Sequence, residues 1–170
     1  MDVIIKNARL SYPHLFTAQE PMPGSPPTAK AKYNARFLLT EEDRVAVDAA
    51  IQEVLVDKYP KGVPKAFSGE RLCLRLDPEG NQWYINASNI QKPKVVDRRK
   101  QELTADSGIP YAGCYVNALI RLWVQDNDYG KRVNANLEMV QFLAHGEPLG
   151  RKTKSVDEVF EDLGDEDVPF

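Results

Sequence analysis

The sequence predicts a mainly β domain: an antiparallel sheet closed into a small five-stranded barrel, with one main helix and an acidic C-terminal tail. Three observations carry this expectation. Several segments alternate apolar and polar residues with the period of two that splits a strand into two faces. One segment has helical spacing, and hairpin-type turns join the strands without an alternating strand–helix rhythm, which disfavours a doubly wound fold. From Ser155 to Phe170 the chain carries seven acids (Asp157, Glu158, Glu161, Asp162, Asp165, Glu166 and Asp167) and no base.

In chain order, Val3 to Leu10 reads as the first strand, and the proline-rich stretch from Pro13 to Pro27 reads as a loop. Lys30 to Leu39 alternates cleanly, with Ala31, Tyr33, Ala35, Phe37 and Leu39 on one face. The other face carries Lys30, Lys32, Asn34 and Arg36. Thr40 can cap a helix whose first turn, Glu41-Glu42-Asp43, suits the positive end of the dipole. Val47, Ile51, Val54 and Leu55 give that helix one apolar face, and it stops near Tyr59-Pro60. Glu70 to Leu76 is expected as a short strand with Leu72, Leu74 and Leu76 inward. A turn at Asp77-Pro78-Glu79-Gly80 leads into a hairpin partner from Gln82 to Ser88. Ile90 to Leu103 reads as a connection. Gly113 to Gln125 is a longer strand with Val116, Ala118, Ile120, Leu122 and Val124 on one face. Asp126 to Gly130 turns the chain, and Arg132 to Leu143 is the last long strand. The reading divides the chain into a barrel domain over residues 1–150 and a flexible acidic tail over 151–170, too poor in apolar residues to fold alone.

Bulk properties narrow the class. A chain of 170 residues suits one domain plus an appendage, large enough for a core without staples. Cys73 and Cys114 form neither a disulfide framework nor a zinc pattern, which fits a reducing compartment. The start lacks a secretory pattern, and no apolar stretch approaches the roughly 20 residues that span a bilayer. The expected location is therefore cytoplasmic, with no membrane partner. The net charge of −3 conceals an asymmetry: residues 1–154 hold all 22 bases but only 18 of the 25 acids, a balance of +4. A basic body with a concentrated acidic tail points to an anionic partner for the body.

Single-stranded nucleic acid is held by rings that stack on bases and cations that follow phosphates. Tyr115, Arg121 and Trp123 on one face of the long strand, with Lys30, Lys32 and Arg36 on the earlier one, supply both ingredients. The alternative for Tyr115 and Trp123 is a second core under the helix, or a subunit contact. Arg98, Arg99 and Lys100, in a loop that also holds Lys92 and Lys94, could clamp phosphates, as could Lys131 and Arg132 after the turn. Catalysis finds little support. His14 and His145 stand alone without a second metal ligand at suitable spacing, and no phosphate-binding loop or nucleophile elbow occurs. No cofactor or metal is expected.

The tail ends Asp165-Glu166-Asp167-Val168-Pro169-Phe170. A ring beside the terminal carboxylate, stiffened by proline, suits an apolar pocket rimmed by bases. This tip resembles the Asp-Asp-Asp-Ile-Pro-Phe tip of bacterial single-stranded DNA-binding protein, departing at Glu166 and Val168. The body is similar instead to a family of tailed-phage proteins, formerly of unknown function, whose members are OB-fold single-stranded DNA-binding proteins. The likeness runs through Arg9-Leu10-Ser11-Tyr12-Pro13-His14-Leu15-Phe16, Lys32-Tyr33-Asn34-Ala35-Arg36-Phe37-Leu38-Leu39 and Pro93-Lys94-Val95-Val96-Asp97. It continues in Tyr111-Ala112-Gly113-Cys114-Tyr115-Val116-Asn117-Ala118 and Leu137-Glu138-Met139-Val140-Gln141-Phe142. The resemblance implies an OB-like barrel, single-stranded DNA as ligand, and a tail that recruits replication or recombination proteins. It carries over no list of DNA contacts. Rival expectations are a strand-annealing recombination protein, a phage nuclease and a virion component. Oligomeric state is left open.

Overall fold

The structure, a computed structural model, describes residues 1–149 and 159–165. Its elements are β1 (Asp2–Gln19), β2 (Lys32–Leu38), α1 (Glu41–Lys58), β3 (Leu74–Leu76), β4 (Trp83–Asn89), β5 (Lys94–Val96), β6 (Tyr115–Asn127) and β7 (Gly130–Ala144), with 3-10 turns at Gly69–Arg71 and Ala105–Ser107. β1 pairs with β2 on one side and β6 on the other; β2 continues to β4 and β6 to β7. A parallel contact between β4 and β7, Ser88 beside Asn136, closes the ring. Asn89 Nδ2 reinforces the closure by donating to the Leu137 carbonyl at 3.1 Å. Five strands in the circular order β1–β2–β4–β7–β6 form the expected OB-like barrel, with β3 and β5 as added edge strands.

β1 serves two neighbours because it bends. Its residues Asp2 to Arg9 lie along β6, and Arg9 to Gln19 along β2. Register irregularities fall between Ile5 and Ala8 and between Ser11 and His14, with positive φ at Asn7 (55°) and Tyr12 (46°). This corrects the expectation of a loop from Pro13. The strand runs on to Gln19, and Pro13 sits inside the second irregularity, where an interrupted ladder makes no demand on a missing N–H. Between β1 and β2, only residues 20–31 lie outside the sheet.

The alternating strands behave as their pattern requires. Ala35 and Phe37 of β2, Ile85 and Ala87 of β4, Val116, Ala118, Ile120 and Leu122 of β6, and Val133, Ala135 and Leu137 of β7 are buried. α1 begins where Thr40 accepts the Asp43 N–H at 3.2 Å. Val47, Ala50, Ile51 and Leu55 seal the barrel from that side, packing against β6, β1, β3 and β4.

Two further local readings need correction. Glu70 to Leu76 is a 3-10 turn followed by a three-residue strand, and Cys73 and Leu74 are both buried while Leu76 is exposed. The alternation fails because the chain crosses between two neighbours: Cys73 N–H donates to the Val133 carbonyl of β7, and Leu74 then pairs with Ile85 of β4. The connection from Ile90 to Leu103 contains β5, parallel to the C-terminal half of β7 with Lys94 beside Met139. Three residues with a single fully buried apolar side chain, Val95, leave no period to read.

The barrel's exit is tightly built. Glycine is required at position 113 (φ 110°), because a Cβ there would stand 2.2 Å from the Glu147 carbonyl oxygen. Leu149 N–H donates to Ala112, and Arg9 Nη2 donates to the Glu147 carbonyl at 2.6 Å. The chain therefore leaves the barrel beside the β1–β6 seam. Among the described residues, no helix is long and apolar enough to cross a membrane.

Candidate nucleic-acid interface

The outward residues of β2, β4 and β7 line a groove across the barrel wall. Its first section, about 360 Å³, is bordered by Tyr12, Asn34, Arg36, Arg71, Arg75, Asn86, Ser88, Arg132 and Asn134. It shares Ser88, Arg132, Asn134 and Ala135 with a second section of about 540 Å³, which adds Lys32, Ile90, Trp123, Gln125 and Asn136. The two form one path, because the parity that buries Ala35, Ala87 and Ala135 turns Arg36, Asn86, Ser88, Asn134 and Asn136 outward.

Cations and rings are placed against one another. The Arg36 guanidinium lies 4.1 Å from the Tyr84 ring centre and 5.2 Å from that of Tyr12, and its Nε donates to Asn86 Oδ1 at 3.0 Å. Arg75 donates to the carbonyls of Leu72 (3.1 Å) and Glu70 (2.7 Å), and Arg132 approaches the Glu70 carbonyl at 3.5 Å. Arg71 reaches within 3.3 Å of where a side chain at Gly130 would begin. Arg36, Arg75 and Arg132 are held by rings, an amide and carbonyls. Among the described residues none of the four pairs with a carboxylate; the ion pairs there are Arg44–Glu41, Arg121–Asp2 and Lys131–Asp126. Their charge is thus uncompensated and aimed at an anionic ligand. Trp123, 42% exposed, is fixed by its Nε1 donating to Asn136 Oδ1 at 3.1 Å. Part of the ring is therefore open to the groove, where a base could stack.

Of the residues singled out from the sequence, the structure brings Lys32, Arg36, Trp123 and Arg132 onto this wall. Lys30 lies just before β2 and is exposed. Tyr115 is at the opposite end of β6, paired with Ala144. Arg98 donates to the Leu143 carbonyl, which puts Arg98, Arg99 and Lys100 beside the far end of β7 from Arg132. Arg121 is bound to Asp2 (Nε to Oδ1, 3.1 Å) and Lys131 to Asp126 (Nζ to Oδ1, 2.9 Å). Of the tail tip, Asp165 is described and exposed; Glu166, Asp167, Val168, Pro169 and Phe170 lie outside the described residues. Sequence reading missed Tyr12, Tyr84, Arg71 and Arg75. Tyr84 was legible as the outward member of an alternating strand. Arg75 was legible in the same way, between Leu74 and Leu76, whereas Tyr12 and Arg71 were not, because a bulge and a 3-10 turn place them.

An OB barrel with an open groove of arginines, amides and rings belongs to a class that binds nucleic acid. Within that class the chain belongs to the family of the Enterobacter phage Enc34 ssDNA-binding protein, whose family model matches residues 1–169. It is 36% identical to protein p50 of Acyrthosiphon pisum secondary endosymbiont phage 1, over 96% of this chain and 94% of that protein. Among solved structures it is similar to the single-stranded DNA-binding protein of bacteriophage Enc34 in complex with ssDNA, with a TM-score of 0.71 and 30% identity over 88% of this chain and 89% of that one. A second structure of the single-stranded DNA-binding protein from bacteriophage Enc34 gives 0.70 and 27%, over 94% and 90%. Bacteriophage T7 gp2.5, at 15% identity and a TM-score of 0.60 over 96% and 97%, shares the fold. The family likeness read from the motifs therefore holds, and the family is one of binding proteins, not enzymes.

Proposed function

We propose that this chain binds single-stranded DNA without strong sequence preference along the β2–β4–β7 groove, coating strands during phage replication or recombination. The observation that carries the reading is the set Arg36, Arg71, Arg75 and Arg132 without carboxylate partners among the described residues, interleaved with Tyr12, Tyr84 and Trp123. Cations can follow the phosphates while rings stack on bases of any identity. The amides of Asn34, Asn86, Asn134 and Asn136 give adaptable hydrogen bonds in the same wall, which suits a ligand of varying sequence. The acidic residues from Asp157 to Asp167 and the Val168-Pro169-Phe170 tip recruit replication or recombination proteins in this reading.

Fluorescence anisotropy with single-stranded, duplex and RNA oligonucleotides of one length tests it, with and without magnesium. Tightest binding to the DNA single strand, weakened by salt and indifferent to sequence, supports the proposal. Preference for one duplex sequence, or magnesium-dependent cleavage, would overturn it. For the tail, loss of co-precipitation with the phage's own DNA polymerase or primase on deleting Phe170 supports recruitment. Unchanged capture of every such partner by that deletion counts against it.

A further inference from the structure

Among the described residues, two open apolar surfaces on different parts of the chain match each other. The first is on the barrel wall. Ile4 of β1 and Met139 of β7 are 64% and 43% exposed, and both pair with Leu119 of β6. With Val96 and Lys100 they line a depression of about 300 Å³ that shares no residue with the DNA groove. The second lies in the C-terminal segment, where Val159, Phe160 and Leu163 are 53%, 70% and 90% exposed among Glu161, Asp162 and Asp165. A lone exposed apolar residue needs no explanation, but a cluster on each of two surfaces does.

Charge matches the two. The depression is bordered by the turn Arg98-Arg99-Lys100, all exposed. The acid of that turn, Asp97, is occupied: its Oδ1 accepts the N–H groups of Arg99 at 2.8 Å and Gln101 at 2.9 Å. Of the acids nearby, Asp2 is bonded to Arg121, Glu138 faces the same arginine, and Glu102, bridged to Val96, stands against the three cations of the turn and Lys94 beside Met139. The depression therefore presents apolar floor and net positive rim to a segment that presents apolar residues among acids. Another apolar depression among the described residues, at Leu72, Leu76 and Trp83, is bordered by Asp48 and Glu70 against the one cation of its lining, Arg75. It would repel an acidic segment.

We propose that Val159, Phe160 and Leu163 of one copy dock in the Ile4–Leu119–Met139 depression of the next, so that copies associate head to tail. Each surface is exposed in the single chain, as expected of two halves of a contact made between copies. The nine residues 150–158 can span up to about 30 Å, roughly twice the radius of a body of this size, which is enough to reach a neighbouring barrel. The contact is heterologous: each copy offers one segment and one depression. Such contacts propagate in a row instead of closing on themselves, the geometry that suits a coat along a linear strand. The role as a coat rests on the proposed DNA binding, but the contact itself does not.

Sedimentation velocity of the full chain without DNA tests it, using two double variants. Phe160→Ser with Leu163→Ser disables the segment, and Ile4→Glu with Met139→Glu disables the depression; all four positions are exposed, and circular dichroism checks the fold. Wild type should associate increasingly with concentration, and each variant alone should associate at least about tenfold more weakly. Mixing the two should restore pairing that stops at a one-to-one complex, because one intact segment meets one intact depression. A wild type that stays monomeric at every concentration would overturn the proposal, showing that the segment docks on its own barrel or elsewhere. Variants that associate like wild type, or a mixture that fails to pair, would overturn it equally. A short oligonucleotide that holds one copy should bind both variants normally; loss there, with self-association intact, would count against the groove assignment instead.

Discussion

The Arg36 guanidinium lies 4.1 Å from the centre of the Tyr84 ring, with Nε bonded to Asn86 Oδ1. The two residues stand on adjacent strands, β2 and β4. A long cationic side chain normally loses rotamer freedom when it grips a ligand. Here the ring and the amide have already ordered it, so the groove meets DNA with its central cation in place.

The rings should each contribute through stacking. Tyr84→Ala, Tyr12→Ala and Trp123→Ala are each expected to cost about 1–3 kcal/mol of single-strand binding while the fold survives. All three side chains face outward or are exposed, so the core is untouched. Anisotropy titrations with a short oligonucleotide measure the loss and thermal unfolding checks the fold. Trp123→Ala unfolding the protein would return that ring to a structural role. DNA should also quench tryptophan fluorescence, with Trp83 as background.

Salt dependence separates groove cations from neutralised ones. For single strands the log–log slope changes by about 0.7 per phosphate contact. Arg132→Ala should flatten the slope by about that amount. Arg121→Ala should leave it near wild type, because Asp2 already compensates that charge.

Much of this was legible before the structure. Period-two alternation identified β2 and β6 with their buried faces, β7 was read as the last long strand, and Thr40 marked the start of α1. Arg36, Lys32 and Trp123 were found because outward parity on regular strands is visible in the sequence, and Arg132 as one of a basic pair after a turn. What escaped was set by irregular backbone or by pairing between distant segments. Pro13 reads as a loop until the bulge beside it is seen, β5 is too short to show a period, and Arg71 owes its place to a 3-10 turn. Arg121 and Lys131 looked equivalent to Arg132, and only their carboxylate partners, Asp2 far off in sequence in one case and Asp126 across the hairpin in the other, distinguish them.

Alkaline pH should expose one tertiary contact. The Tyr59 hydroxyl donates to Asp126 Oδ2, and that carboxylate pushes the phenol up to about 12. An unfolded tyrosine titrates near 10. The unfolded state thus loses its proton first, so the contribution is fully present below about pH 10 and is lost as pH rises towards 12. Chemical denaturation between pH 9 and 12 should show this decline in wild type and a smaller one in Tyr59→Phe.

The acidic end should compete with DNA from within the molecule. Seven acids tethered to the barrel can visit the groove at an effective concentration set by the tether. Removing residues 155–170 should tighten binding of a short oligonucleotide, most at low salt where charges are least screened. Deleting Phe170 alone removes no side-chain charge and should leave that affinity unchanged. Weaker binding by the truncated chain would show that the tail supports the site instead.

The most direct measurement compares two double variants on a single-stranded oligonucleotide short enough to hold one copy. Arg36→Ala with Arg132→Ala removes two cations from the groove wall, and Arg98→Ala with Arg99→Ala removes two from the far end of β7. Net charge changes equally, so non-specific attraction cannot separate them. The groove variant should bind about a hundredfold more weakly, and the loop variant should stay close to wild type. If instead the loop variant loses binding while the groove variant keeps it, DNA does not run along the β2–β4–β7 wall.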